Sequence, residues 1–410
     1  MDLIRAQWVL DGERGPVADG VVQVERGKIV QVVSGAASIR RLVNAVGEEP
    51  SDLGSGVLCP GLVNAHAHLE LTALGGRLSG DGPFAAWIGN LLRERAKCTD
   101  SDLARGVYRG AQELLDGGTT AVGEISSLAI SPPWAEDSPM AVRLYHECLD
   151  AGDGARTRGA LEGAREQAVA TSLMPAISPH APFSVSPDLL AGLGELAKTG
   201  GLPITIHWAE THEEQEYLLH GGGPLAEHLG PSPRRSGLDL IEKAGLLGPR
   251  TCLVHGNHPV AGEPERLAAA GASLVHCPGT HRYFGRETFP LELYRRAGVN
   301  LALGTDSLAS NTALDMRQEM ALLREVQPGL DPAEVWAMAT RGSARALDLE
   351  GQVGCLSPGA RADMVLFQVE SGQPESILDE LTAASPPVTA LFLEGCLQER
   401  LPRAPMGSDR

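Results

Sequence analysis

The chain has 410 residues, of which 43% are hydrophobic and 21% are charged, so its composition is that of a globular protein and its length suits one large barrel or two domains. Its net charge of -18 disfavours nucleic acids and anionic membranes as partners, because their phosphates attract positive surfaces. The sequence shows no apolar run of about 20 residues and no signal-peptide layout, and its seven cysteines are scattered, so we expect a cytoplasmic protein without a disulfide framework.

The two ends of the chain are predicted to form β-structure. Residues 20–25 and 28–33 alternate apolar and polar side chains around a tight turn, which is typical of a hairpin. Residues 362–367 and 388–393 have the same character. We expect residues 1–59 and 353–410 to form one small β-sandwich together, with a mobile tail from about residue 398.

Between these ends, from residue 60 to residue 352, short apolar runs alternate with amphipathic stretches. Strands are predicted at residues 57–64, 119–124, 142–147, 173–178, 204–207, 252–255, 273–276 and 300–304. Helices are predicted at residues 103–115, 156–170, 187–196 and 332–347. This α/β pattern favours a parallel (β/α)8 TIM-like barrel. A doubly wound open sheet is the alternative, but no Gly-x-Gly-x-x-Gly turn follows the first strand.

The residues capable of catalysis gather at the predicted strand ends, where barrel enzymes build their sites. All twelve histidines lie between His66 and His281. His66 and His68 follow the first strand at i and i+2, so their side chains share a face and can reach one metal ion. Such a pair is a weak signal by itself, since two partly exposed histidines at a strand end would look the same.

Further candidates follow the later strands. His207 ends the fifth strand, and Glu210 comes three residues later. His255, His276 and Asp306 follow strands six, seven and eight. A third imidazole with a carboxylate is what a hydrolytic metal site needs, namely a ligand and a proton acceptor. Each residue alone could be an ordinary loop residue, but the joint pattern favours function.

Two motifs carry a resemblance to a known family. The run Pro-Gly-Leu-Val-Asn-Ala-His-Ala-His at residues 60–68 and the stretches at residues 339–347 and 356–363 resemble the amidohydrolase superfamily. The resemblance is to the branch of cytosine, guanine, nucleoside and S-adenosylhomocysteine deaminases and triazine hydrolases. It covers nearly the whole chain, and it implies a β-sandwich built from both termini and a homodimer.

The resemblance also implies roles for individual residues. One divalent metal ion would be held by four ligands, namely His66, His68, His207 and Asp306. His255 would contact the attacking water, helped by Asp306, and Glu210 would be the proton shuttle. The chain has no lysine between residues 97 and 198, so the carboxylated lysine of binuclear relatives is excluded. Zinc is our first expectation, and iron and manganese also suit such ligands.

Substrate contacts are expected from loops near these strand ends. Candidates lie after strands one, three and four, within the loop at residues 276–286, and after strand eight: Glu70, Glu147, His180, His276, His281, Arg282, Ser307 and Asn311. The last two regions resemble aminodeoxyfutalosine deaminases, whose substrate is an adenine nucleoside bearing a carboxyphenyl group. Arg282 would then bind the carboxylate, unless it is a surface residue paired with Glu287.

The resemblance implies a hydrolase that converts the adenine of such a nucleoside to hypoxanthine with release of ammonia, in menaquinone biosynthesis. Adenosine, methylthioadenosine and S-adenosylhomocysteine remain alternative substrates. A triazine or amidine hydrolase is a second reading, although a chloride leaving group would not need the proton that Glu210 supplies. A metal-binding protein without catalysis is a third.

Overall fold

The computed structural model describes residues 2–12, 15–170, 174–370 and 372–398, and the side chains of residues 168–170 are not described. The tail predicted from residue 398 therefore lies almost wholly outside the described residues, as does Leu173 of the predicted fourth strand. In the described part of the chain, no helix is long and apolar enough to cross a membrane.

The described residues contain sixteen strands in chain order: β1 (Asp2–Val9), β2 (Val17–Glu25), β3 (Lys28–Ser34), β4 (Ser51–Asp52), β5 (Val57–Pro60), β6 (Leu62–Ala67), β7 (Thr119–Ser126), β8 (Ala141–Cys148), β9 (Met174–Pro179), β10 (Ile204–Trp208), β11 (Thr251–His255), β12 (Ser273–His276), β13 (Asn300–Leu303), β14 (Met364–Phe367), β15 (Val388–Leu393) and β16 (Cys396–Leu397).

The α-helices are α1 (Ala36–Val46), α2 (Phe84–Arg95), α3 (Asp100–Asp116), α4 (Pro132–Asp137), α5 (Gly154–Ala170), α6 (Pro187–Gly200), α7 (His212–His220), α8 (Gly237–Lys243), α9 (Glu263–Ala270), α10 (Pro278–Tyr283), α11 (Leu291–Ala297), α12 (Met316–Val326), α13 (Pro332–Ala337), α14 (Ser343–Ala346) and α15 (Pro374–Ala383). Two 3-10 helices span Leu69–Leu74 and Pro224–Glu227, and a π-helical turn, Met338–Gly342, joins α13 to α14.

The first sheet is built from both ends of the chain. Its strand order is β16-β15-β14-β5-β1-β2-β3, and β4 pairs with β1. The predicted hairpin is confirmed, because β2 and β3 pair antiparallel around a turn at Gly27. The small β-sandwich expected from the two termini takes the form of one mixed sheet, with its own apolar core around Ile4, Val22 and Leu366.

The second sheet is the predicted α/β barrel. Strands β6 to β13 run parallel in the order of the sequence, and helices follow most of them. The first and eighth strands meet through a parallel bridge between Ala67 and Asp306, where the Asp306 amide donates to the carbonyl of His66 at 3.0 Å. This contact brings the carboxyl ends of β6 and β13 together.

The predicted first strand, residues 57–64, is wrong in one respect. It is two strands that belong to different sheets, since β5 pairs antiparallel with β14 whereas β6 pairs parallel with β7. Pro60 lacks an amide hydrogen and so cannot donate to a neighbouring strand. Gly61 packs closely on Thr120, since a Cβ at this position would lie 2.0 Å from the Thr120 hydroxyl oxygen. The chain therefore changes sheets at the Pro60–Gly61 step, just before the candidate site.

Candidate metal centre and active site

Three imidazoles converge at the carboxyl end of the barrel. His66 and His68 lie at the end of β6. His207 lies near the end of β10, on the opposite side of the barrel. Their three Nε2 atoms are each 3.2 Å from the other two, and all three side chains are buried. His66 belongs to β6 and His68 directly follows it, and the i, i+2 spacing points both side chains to the same side, as predicted.

The spacing of these atoms fits a metal ion. Nitrogen ligands placed 2.0–2.1 Å from a tetrahedral metal are separated by about 3.3 Å. The Nδ1 atom of His207 lies 2.8 Å from the carbonyl of His180, which makes Nδ1 the protonated nitrogen and leaves the Nε2 lone pair free. Burial lowers the pKa of both His66 and His68, so neutral imidazoles, the form that binds metals, are favoured.

Asp306 lies at the edge of this cluster. Its Oδ1 atom is 3.8 Å from His66 Nε2 and 3.7 Å from His68 Nε2. Its Oδ2 atom accepts hydrogen bonds from the hydroxyls of Thr280 and Ser310. The two hydroxyls therefore fix the carboxylate with Oδ1 towards the imidazoles. The three histidines could hold one divalent ion, and Oδ1 of Asp306 lies beside two of them.

Glu210 and His255 stand beside the cluster. Glu210 Oε2 lies 3.7 Å from His255 Nε2, and the His255 ring stacks on that of His207 with centroids 5.5 Å apart. His255 is in the left-handed backbone region, with φ of 77°, and so is Asp306, with φ of 56°. Non-glycine residues adopt this conformation at a cost, and such strain is concentrated at functional sites.

The backbone of Glu210 is held by a second carboxylate that the sequence analysis missed. Glu214, at the third position of α7, accepts hydrogen bonds from the amides of Ala209 and Glu210. Asn257 donates to the carbonyl of Glu210. Burial raises the pKa of Glu214 to about 8. The signal that could have found Glu214 is the Thr211-x-x-Glu214 capping pattern after β10.

Arg286 is the other residue that the sequence analysis did not single out. Its Nη2 atom lies 2.6 Å from Glu210 Oε1, and its side chain is only 8% exposed. The guanidinium also lies over the Phe284 ring, 4.6 Å from its centroid, and its Nη1 atom is buried without a partner among the described residues. Arg286 therefore fixes one carboxylate oxygen of Glu210 and leaves the other towards His255.

The predicted substrate residues divide into three groups: those that line the cavity, one at the surface and four behind the walls. Glu147, His180 and Ser307 line the cavity that opens from the histidine cluster. Arg282 does not reach it: its guanidinium is about half exposed and pairs at 2.6 Å with Glu325, not with Glu287. The placement expected for Arg282 is therefore wrong, because it lies on the outward face of the last turn of α10.

The remaining four candidates support the walls of the site. Glu70 accepts hydrogen bonds from the loop that follows β7, including those from Ser126 and Ile130. Asn311 donates hydrogen bonds to the carbonyl of Thr305 and to the carboxylate of Glu319. His276 stacks on Phe289 at 3.8 Å, and His281 bonds to the carbonyl of Glu287. None of these four is among the described residues that line the cavity.

The cavity has a volume of about 470 Å³, within the range of small-molecule sites. Its inner end contains the polar residues His68, His207, Glu210, His255 and Asp306. Its outer walls are mostly apolar and include Phe84, Trp87, Ile88, Leu91, Phe183, Leu225 and Phe284. A separate polar cavity near Arg295 and Arg341 contains none of the predicted site residues.

Comparison with known proteins finds related sequences and structures. The model of the amidohydrolase family matches residues 57–395. A 5-methylthioadenosine/S-adenosylhomocysteine deaminase of Halobacterium salinarum is 31% identical over 387 residues, covering 89% of this chain and 84% of the relative. An aminodeoxyfutalosine deaminase of Deinococcus radiodurans is 32% identical over 352 residues, covering 80% of each chain.

Solved structures share the fold. An adenosine deaminase of Xanthomonas campestris with bound zinc has a TM-score of 0.80 and 26% identity, and the match covers 99% of this chain and 94% of that one. The aminofutalosine deaminase of Helicobacter pylori, solved with methylthio-coformycin, has a TM-score of 0.83 and covers 96% and 99% of the two chains. At 24% identity, the similarity to the Helicobacter pylori structure shows only that the fold is shared.

The geometry makes a direct prediction about metal binding. The variant His207→Ala removes one of the three converging Nε2 atoms, so we expect the metal content to fall from about one ion per chain to near zero after dialysis. His212→Ala is the matched control, because His212 is exposed and lies outside the cluster. Elemental analysis measures both, and stoichiometric metal in His207→Ala would contradict the assignment.

Proposed function

Because the chain belongs to the amidohydrolase family, we propose that it is a metal-dependent hydrolytic deaminase that converts the adenine base of a nucleoside to hypoxanthine and releases ammonia. The single observation that carries this proposal is the juxtaposition of three Nε2 atoms 3.2 Å apart with a carboxylate, Glu210, that is not part of the cluster. A metal-dependent hydrolase of C–N bonds combines a site for a metal with a separate group that moves protons.

The donor set defines which residues would hold the metal. His66, His68 and His207 offer nitrogen ligands, and Asp306 offers a carboxylate oxygen. When bound there, a divalent ion supplies Lewis acidity that makes water nucleophilic near neutral pH. Zinc is the ion we propose, because three imidazoles and one carboxylate suit its preferences.

Glu210 has the geometry of a proton shuttle. Its Oε1 atom is bound by Arg286, so Oε2 is the oxygen left to accept a proton from water and to donate it to the purine ring. His255 stands 3.7 Å from that oxygen and would help to orient the attacking water. A second proton then passes from the hydroxyl of the tetrahedral adduct to the amino group, and ammonia leaves the purine carbon as the carbonyl of hypoxanthine forms.

The substrate side of the proposal rests on the shape of the cavity. Glu147 and His180 lie near the histidine cluster, where hydroxyl groups of a ribose would find hydrogen-bond partners. Beyond them the walls are apolar and partly aromatic, which suits a nucleoside with a bulky apolar group at its 5′ position. We therefore favour 6-amino-6-deoxyfutalosine, with adenosine, methylthioadenosine and S-adenosylhomocysteine as the alternatives.

The test of the proposed function is ammonia release by the purified, zinc-reconstituted protein. The substrates compared are adenosine, methylthioadenosine, S-adenosylhomocysteine, aminodeoxyfutalosine, guanine and cytosine. We expect turnover of adenine nucleosides, fastest with aminodeoxyfutalosine, and none of the free bases. Turnover of guanine or cytosine alone, or of no compound, would overturn the proposal.

A second prediction isolates the proton shuttle. Glu210→Gln preserves the size of the side chain but cannot accept a proton, so we expect kcat to fall by about 10²- to 10⁴-fold with the metal content unchanged. Glu216→Gln makes the same chemical change at an exposed position of α7 and should leave both quantities unchanged. Near-normal turnover by Glu210→Gln would exclude Glu210 as the shuttle.

A third prediction separates the two arginines of the loop after β12. Arg286→Met removes the cation that holds Glu210 Oε1, so we expect kcat to fall by about 10- to 100-fold, the loss that small misplacements cause. Arg282→Gln should not change kcat or KM for any substrate. The reverse result would restore the interpretation of Arg282 as a substrate contact. Melting temperatures of both variants show whether folding is intact.

A further inference from the structure

The cavity has a buried inner end and an exposed mouth. At the inner end His68 and His207 are both 7% exposed, whereas Leu92 at the mouth is 56% exposed and His228 is also exposed. A purine whose amino-bearing carbon lies at the histidine cluster must therefore direct the 5′ end of its ribose towards Leu92 and His228. Side chains at the mouth would therefore contact the substituent at the 5′ position.

One face of helix α2 forms the wall that leads to this mouth. Phe84, Ile88, Leu91 and Arg95 occupy positions i, i+4, i+7 and i+11 of the helix, and all four line the cavity. At 1.5 Å per residue the face is about 16 Å long. The wall is firmly placed, because Glu213 of α7 accepts hydrogen bonds from the amides of Phe84 and Ala85.

The wall ends at Arg95, whose side chain is cationic. Within the described part of the chain, the Arg95 guanidinium makes no hydrogen bond or ion pair, although Arg93 two residues earlier bonds to Asn90. His228 follows the 3-10 helix Pro224–Glu227 and brings a second nitrogen group to the same mouth. The two residues come from different elements and face one cavity.

The acidic residues are placed at the opposite end. Among the described residues that line the cavity, the carboxylates are Glu147, Glu210 and Asp306, and each lies near the histidine cluster. The mouth therefore offers partners for an anion, and none of its described lining residues is a carboxylate that could pair with an ammonium group. An Arg guanidinium binds a carboxylate through paired hydrogen bonds, which favours this anion over a neutral group.

We propose that Arg95, assisted by His228, binds a carboxylate carried at the end of an apolar 5′ substituent, and so selects monoanionic adenine nucleosides over neutral and zwitterionic ones. This assignment rests on the proposed deamination and places the anion contact at Arg95 instead of Arg282. The apolar wall between the metal centre and Arg95 accommodates the body of the substituent. The arginine recognises its terminus.

The experiment compares Arg95→Gln with Arg93→Gln, which removes the same charge from the same helix outside the cavity. Ammonia release is measured with aminodeoxyfutalosine, methylthioadenosine and S-adenosylhomocysteine as carboxylated, neutral and zwitterionic probes. We expect Arg95→Gln to lower kcat/KM for aminodeoxyfutalosine by about tenfold, chiefly through KM, and to leave that for methylthioadenosine unchanged. Arg93→Gln should change neither.

Two results would overturn the proposal. One is equal loss with the carboxylated and neutral substrates, which would mean that Arg95 only supports the wall. The other is no loss with either. If the wild-type protein deaminates no nucleoside, the proposed function fails by itself, and calorimetry then tests Arg95 separately. In that case wild type must bind aminodeoxyfutalosine about tenfold more tightly than Arg95→Gln, and equal affinity refutes the anion site.

Discussion

The site depends on the closure of the barrel between its first and eighth strands. The bridge from Ala67 to Asp306 places the carboxylate of one strand beside the two histidines of the other. Three buried imidazole nitrogens 3.2 Å apart cannot satisfy one another by hydrogen bonding when each offers a lone pair. The barrel therefore holds together a set of groups that a bound cation would stabilise, and its closure brings Asp306 to them.

Hydrogen bonds from neighbouring residues hold the strained backbone of this site in place. Ala209, His255 and Asp306 all adopt positive φ values at strand ends. Backbone amides at or next to each of them are hydrogen-bonded, and the one beside His255 is that of Gly256, which donates to Trp208. The carboxylate of Glu214 accepts from the Ala209 amide, and the Asp306 amide donates to His66. Such bonds let the surrounding structure impose a backbone that the residues themselves disfavour. The geometry of the centre is thus maintained by carboxylates and hydroxyls that take no part in the proposed chemistry.

Topology explains why the inner site could be predicted from the sequence and the outer site could not. In a parallel barrel every strand end lies at the same rim, so His66, His68, His207, His255 and Asp306 could be grouped from their positions alone. Loop residues obey no such rule. Arg282 and Arg286 are four positions apart, yet one pairs with Glu325 at the surface and the other with Glu210 in the interior. Glu70 looked like a substrate contact but stabilises the loop after β7.

The inner and outer parts of the cavity also differ in their proposed roles. The inner groups come from β-strands whose register leaves them little freedom, and they suit a reaction common to many amino-purines. Part of the outer wall comes from α2, whose first turn is held by Glu213 and whose apolar face packs near Leu74 and Ala309. Under the proposed function, changes at Phe84, Ile88, Leu91 and Arg95 would act on the 5′ substituent, because these residues line the cavity away from the strand ends. That separation allows one barrel to serve deaminases of different nucleosides.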